Sequence, residues 1–277
     1  MEILDEKKLE LMKTASTSEE AFLRLTEIIR LLRKECPWDA KQTHKSLKTC
    51  MIEEAYEVCN AIDKKDDENL REELGDVQLQ VVFHGLLCEE KQKFTLADVL
   101  NDECEKMLRR HPHIFSKKAG ETVDKVLEKW ENIKRGEHHY ATHTQELKSV
   151  PSNFPALMRS YKVQNKAAGV GFDWKDINGA MEKLDEELYE FKEACGGDNR
   201  EHIVEEVGDL LFSVVNVCRF LKINPEEALT GSTEKFIKRF EGIEGKATEK
   251  GQKLEDMTLD EMDELWDEVK ADDRTPL

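Results

Sequence analysis

The chain has 277 residues, enough for two domains of ordinary size. Charged residues make up 37%, while glycine (14) and proline (6) are scarce, a balance that reads as helical. The net charge of −18, from 42 basic and 60 acidic residues, argues against a nucleic-acid scaffold that works by neutralising phosphates; it leaves room for a free nucleotide, whose charge bound cations can offset.

The opening residues, MEILDEKKLE, hold no apolar run of the signal-peptide type. No stretch approaches the roughly 18 apolar residues of a membrane span. Seven cysteines without a C-x-x-C pair, several at apolar helix positions, read as buried, reduced thiols of a cytoplasmic protein.

The first helical signal follows Ser16, Thr17 and Ser18, with Glu19 and Glu20 placed for a capping box. Phe22, Leu25, Ile28, Ile29 and Leu32 recur at helical spacing, and Cys36-Pro37 ends the run. A second amphipathic segment spans 47–62, and the polar run 63–69 reads as a loop. A third helix begins near Leu70. A fourth follows Thr95 and stops at His111-Pro112, and a short piece covers 123–133. Residues 137–154 are polar, contain Pro151 and precede Pro155, and read as a linker between domains at 1–136 and 155–277. The linker histidines 138, 139 and 143 lack acidic or cysteine companions and read as solvated. His44 and His84 read as structural or surface residues.

After the linker the same signals return. Glu53-Glu54-Ala55-Tyr56-Glu57 recurs as Glu186-Glu187-Leu188-Tyr189-Glu190, and Glu72-Glu73-Leu74-Gly75-Asp76 as Glu205-Glu206-Val207-Gly208-Asp209. Glu54 to Glu73 and Glu187 to Glu206 are both 19 residues apart. Lys106 and Arg110 match Lys235 and Arg239, and Trp130 and Lys134 match Trp266 and Lys270. A tandem duplication of an all-α, four-helix module explains the pattern.

The spacing has a chemical consequence. Helical residues three apart share a face, so Glu187 pairs with Glu190 and Glu206 with Asp209. A short connection packs the two helices antiparallel and turns the pairs toward each other. The same holds for Glu54, Glu57, Glu73 and Asp76. Four carboxylates in one small volume repel one another unless a cation neutralises them. Oxygen-only ligands select a hard ion: Mg²⁺, Mn²⁺ or Ca²⁺. Gly75 and Gly208 read as points of close approach for a partner helix or a ligand.

These motifs resemble the MazG family of nucleoside triphosphate pyrophosphohydrolases. Cys36-Pro37-Trp38-Asp39, Arg109-Arg110-His111-Pro112-His113-Ile114-Phe115 and Gly171-Phe172-Asp173-Trp174 are similar to its two-domain bacterial form. The four-carboxylate motif alone is shared with all-α dUTPases, dCTPases and phosphoribosyl-ATP pyrophosphatases. The resemblance implies a homodimer, Mg²⁺ dependence with Mn²⁺ as substitute, and attack of water between the α- and β-phosphates of a nucleoside triphosphate. It implies that Glu187, Glu190, Glu206 and Asp209 are metal ligands. It also assigns Lys235, Arg239 and Lys270 to the phosphates, and Trp266 and Asn216 to the nucleotide. Phe172, Asp173 and Trp174 border the base. Glu186, not consumed as a ligand, is the candidate to orient the water or take its proton.

Phe83 stands in the first copy where the second has Asn216. An aromatic ring there packs or blocks, so the first copy is expected to bind metal and to turn over slowly or not at all. Two other readings stay open: a pyrophosphatase specific for dUTP or dCTP, and a helical protein that senses nucleotides without turnover.

Overall fold

The computed structural model describes residues 6–115, 122, 125–126, 129–130, 133, 136–137 and 140–272. Among these the protein is helical, with no strand. It divides into two compact units, Met1–His138 and His139–Leu277. Lys134, His138, His139 and most of the expected piece at 123–133 lie outside the described residues.

In the first unit a short α1 (Glu6–Leu11) precedes α2 (Ser18–Glu35), α3 (Lys48–Lys64), α4 (Asp67–Glu90), α5 (Leu96–Arg110) and a single turn, α6 (Pro112–Phe115). The starts are set by side-chain caps. Thr17 accepts from the Glu20 N–H in a reciprocal capping box, and Thr95 does the same with Asp98. The polar run 63–69 is a tighter feature than its composition implies. Lys65 closes α3 at φ 56°, Asp66 caps α4, and residues 67–69 already form the first turn of α4, where acidic Asp67 and Glu68 suit the helix dipole. This two-residue connection holds α3 and α4 as an antiparallel pair. Ile29, Leu47, Val82, Phe83, Leu86, Leu87 and Leu96 form the core beneath them. Arg30–Glu89 (2.8 Å) and Arg33–Glu90 (2.6 Å) tie α2 to the far end of α4.

His44 and His84 meet at the edge of this core. Their Nδ1 atoms are 2.8 Å apart, so one ring donates and the other accepts while the pair is neutral. Cys88 Sγ lies 3.5 Å from His44 Nε2. Burial, and then the neighbouring His44, lowers the pKa of His84. Below the unfolded value of about 6.5 the unfolded chain therefore takes up a proton that the folded unit resists, and stability falls as the pH drops through that window. Urea midpoints measured at pH 7.5 and 5.5 should reveal the loss, and His84→Gln should flatten it. An equal loss in the variant would contradict the assignment.

In the second unit α7 (His143–Lys148) leads into α8 (Ala156–Ala168), α9 (Ile177–Cys195), α10 (Arg200–Phe220), α11 (Pro225–Glu249) and α12 (Leu259–Asp272). Part of the stretch 137–154, read as a linker, thus folds. Thr142 caps α7, Lys166 reaches Glu146 (3.4 Å) and lies over the Tyr140 ring (5.7 Å), and Val150 is 4% exposed. His143 is the first residue of α7. Asn199 caps α10 after the Gly196-Gly197 turn, which again sets an antiparallel pair, α9 and α10. α8 packs against both α10 and α11, and Gln164 on α8 donates to the Phe212 carbonyl at 2.8 Å. Ile243, Ala247, Leu265 and Val269 form a separate core between α11 and α12.

The cysteines depart from expectation. All are free thiols, but Cys88 is buried whereas Cys59, Cys104 and Cys195 are exposed. They sit on helices whose outer faces are themselves apolar, which the apolar periodicity alone does not distinguish from core.

Candidate active site

The antiparallel pairs α3–α4 and α9–α10 each bring three carboxylates to one point. Ligand atoms of Glu187, Glu190 and Glu206 all lie within 4.8 Å of one another, and so do those of Glu54, Glu57 and Glu73. Asp209 and Asp76 stand one turn further along their helices, outside these triads but close enough to act through charge. Burial, followed by the charges of Glu190, Glu187 and Asp209, raises the pKa of Glu206, against a lowering by His202. In the first copy Glu54 is raised by burial and then by Asp76 and Glu57. Glu73 is raised by burial and then by Glu57. Both clusters therefore carry more negative charge than their surroundings offset.

The second cluster is the deeper one. Glu187 is 6% exposed and Glu206 9%. Two nitrogen groups lie against it: Lys183 Nζ, 2.7 Å from Glu187 and 2.8 Å from Glu186, and His202 Nδ1, 3.3 Å from Glu206 Oε1. Glu206 Oε2 remains buried with no donor. A buried carboxylate oxygen without a partner costs free energy, and a cation held among the three carboxylates removes that cost. An all-oxygen set with an orphaned lone pair fits a hard divalent ion. In the first copy Gln80 takes a comparable place, its amide lowering Glu54 while its own Oε1 is buried without a partner.

Lys183 was missed in the sequence, although it stands four residues before Glu187, the spacing of a helical ion pair. Glu186 is exposed, outside the triad and tied to Lys183. A Cβ built on Gly75 or Gly208 would meet nothing within 4 Å, so among the described residues no neighbouring helix needs either glycine. The partner-helix reading fails for the single chain, and what remains is approach from outside it.

The other candidates fall into two groups. On α11 and α12, Arg239 lies over the Trp266 ring at 5.8 Å, Phe236 packs on the same indole at 5.3 Å, Lys270 is half-buried and Lys235 is exposed. The first unit repeats the stack, with Arg110 over Trp130 at 5.2 Å. There Glu137 accepts from Arg109 (2.8 Å) and Arg110 (2.5 Å), and Arg110 and then Arg109 hold its pKa down to about 2. The carboxylate marks where an anionic oxygen sits on this arginine pair. The second group joins α10 to the loop before α9. Asn216 Oδ1 accepts from Arg219 Nε at 3.0 Å, and the Arg219 Nη groups donate to Asp173. Phe172 and Trp174 on that loop are exposed.

Phe83 resolves the choice between packing and blocking. It is 4% exposed, inside the first core, with the Arg33 guanidinium over its ring at 5.5 Å. It packs in the core and removes a polar group from the first copy.

The MazG nucleotide pyrophosphohydrolase domain matches residues 42–115 and 176–243. The chain is 44% identical to the nucleoside triphosphate pyrophosphohydrolase/pyrophosphatase MazG of Thermotoga maritima, over 92% of this chain and 97% of that protein. It is 37% identical to the nucleoside triphosphate pyrophosphohydrolase of Escherichia coli K12, over 89% of this chain and 96% of that protein. It is 48% identical to the uncharacterized protein YabN of Bacillus subtilis, over 91% of this chain but 52% of that longer protein. With two matched domains, each built on a carboxylate triad at the same helical positions, the chain belongs to the MazG family.

Proposed function

We propose that the protein hydrolyses nucleoside and deoxynucleoside triphosphates to monophosphate and pyrophosphate, with Mg²⁺ as the resident ion and Mn²⁺ able to replace it. The observation that carries this reading is the pair of carboxylate triads, one with a buried oxygen left unpartnered. The names of the relatives support the reaction class. Glu187, Glu190, Glu206 and Asp209 hold the ion in the second copy, and Glu54, Glu57, Glu73 and Asp76 in the first. Bound there, the ion offsets charge on the phosphate oxygens and lowers the pKa of the attacking water. Glu186 orients that water or takes its proton. Lys183, which pairs with Glu187, would be available to a phosphate if an ion took its place there. Lys235, Arg239 and Lys270 take the polyphosphate, with Trp266 backing the Arg239 guanidinium.

Turnover is assigned to the second copy, while the first binds metal and turns over slowly or not at all. Each keeps its triad and its arginine–tryptophan stack, but Phe83, packed in the core, leaves the first copy without the polar group that Asn216 supplies. The two differ at the nucleoside end, where Asn216 has no counterpart. A homodimer is part of the same reading. Val207, Leu211 and Val214 form an exposed stripe on α10, and Phe236 and Ile237 on α11 are 55% and 54% exposed. Apolar surface of this kind calls for a cover, and a second copy supplies it. No described helix is long and apolar enough to cross a membrane. Work on the cytoplasmic nucleotide pool, where free thiols persist, completes the proposal.

A panel of the eight common triphosphates, assayed for pyrophosphate release with and without EDTA, tests it. Release should stop with EDTA and return with excess Mg²⁺ or Mn²⁺. Turnover confined to dUTP or dCTP would favour a base-specific enzyme, and binding without release would favour a nucleotide sensor.

A further inference from the structure

The loop between α8 and α9 is held in one shape by three separate devices. Gly171 adopts φ +87°, a conformation that glycine tolerates and side chains resist. Trp174 lies against Gly179 in the first turn of α9, where a Cβ would come within 3.0 Å of the indole. Asp173 accepts from both Nη groups of Arg219, whose side chain is 9% exposed. Phe172, between these anchors, is left 83% exposed.

Arg219 does something else with the same guanidinium. Its Nε donates to Asn216 Oδ1 at 3.0 Å. A guanidinium has donors and no acceptor, so the orientation of the amide is determined: the oxygen faces Arg219 and the NH₂ is turned away to donate elsewhere. Asn216 lies seven residues beyond Asp209 on α10, on the same face and about 10 Å further along the axis. On the proposed reading, a triphosphate bound at the carboxylates has its nucleoside in that direction.

We infer that Arg219 is a positioning residue for the nucleoside end of the second site, locking the Asn216 amide as a donor toward the substrate and tying the Phe172 loop to the same helix. The inference rests on the proposed pyrophosphohydrolase reading. It gives Asn216 an acceptor oxygen or ring nitrogen of the nucleoside as its partner. It makes Asp173, with both oxygens engaged, a tether rather than a reader of the base. The first copy is built differently: Leu86 stands at the position of Arg219, beside Phe83 in the core. The arginine there, Arg33, comes from α2 and donates instead to the carbonyl oxygens of Asp39 and Gln42.

The test is steady-state hydrolysis of ATP by the full chain carrying Glu54→Ala and Glu57→Ala, so that the second copy is read alone. Arg219→Ala and Asn216→Ala should each raise KM about tenfold, the scale of one lost hydrogen bond, with kcat within about threefold of the parent. The double variant should be no worse than Arg219→Ala, because the Asn216 contact is lost either way. Asn216→Asp guards against misfolding: its carboxylate still accepts from Arg219 but has nothing to donate, so KM should rise as in Asn216→Ala. Additive losses in the double variant, a fall in kcat at constant KM, or an unchanged KM in Asn216→Asp overturns the inference. An active wild type whose activity vanishes in the parent also overturns it, since the second copy then does not turn over. A wild type that releases no pyrophosphate at all overturns the function reading, and this inference with it.

Discussion

A chain carrying Glu54→Ala, Glu57→Ala, Glu187→Ala and Glu190→Ala should release pyrophosphate at least about a thousandfold more slowly than the wild type, the scale expected when a metal's several kcal/mol of charge stabilisation is withdrawn. Each pair of substitutions alone should remove only its own copy's share. The expectation follows from geometry: two of the three converging carboxylates are lost from each cluster, and one glutamate with an outlying aspartate is a poor site for a hard ion. Folding should survive. Glu57 and Glu190 are exposed, and the removals relieve repulsion within each cluster; Glu187→Ala also breaks the pair with Lys183, which keeps Glu186 as its partner. The three variants, assayed side by side with Mg²⁺, separate the outcomes. The Glu187→Ala, Glu190→Ala variant should be nearly as slow as the fourfold variant; if it keeps full activity, the assignment of turnover to the second copy is wrong.

The carboxylate clusters were legible in the sequence because their determinants are local. Three-residue spacing fixes a face, and the repeated 19-residue interval fixes a helical hairpin; neither needs tertiary information. Composition was a poorer guide. The polar run at 63–69 reads as a loop because Asp, Glu and Asn are common in loops, yet the same residues are good first-turn residues once Asp66 caps the helix. The fold of residues 140–150 depends on burial of Val150 and on Lys166, whose partner Glu146 is 20 positions away, and no local pattern carries either. Arg219 illustrates the limit most clearly. Its partner Asp173 is 46 positions away, and nothing in the periodicity of α10 distinguishes an arginine that holds a loop from one that faces water. Lys183 was within reach, since an i,i+4 pair with Glu187 is a local signal. Phe83 marks another boundary. Its difference from Asn216 was readable, but whether the ring packs or blocks depends on the core that receives it.

Glu206→Gln should separate the two consequences of crowding these charges, raising stability where it destroys activity. Without metal, Glu206 is a buried carboxylate beside Glu187, Glu190 and Asp209, with Oε2 lacking a donor. Its pKa is raised in the folded chain. Its contribution to stability is therefore full below the unfolded value of about 4.3 and is lost as the pH rises through the folded value. Near neutrality the ionised side chain opposes folding. Glutamine keeps the shape, removes the charge and brings an NH₂ toward the remaining carboxylate oxygens. The metal-free variant should melt at a higher temperature than the metal-free wild type at pH 7.5, with the gap narrowing toward pH 5. Mg²⁺ should reverse the order, because an ion that binds the folded wild type stabilises it by mass action and the variant offers a weaker site. In a chain whose first copy is silenced by Glu54→Ala and Glu57→Ala, activity should fall about a hundredfold, the upper end of the loss seen when a metal site is weakened at one position. Melting curves with EDTA and with Mg²⁺, at both pH values, test all of this together. A metal-free variant that melts below the wild type, or one that gains as much from Mg²⁺, would show that Glu206 is a structural residue and that the ion is held elsewhere.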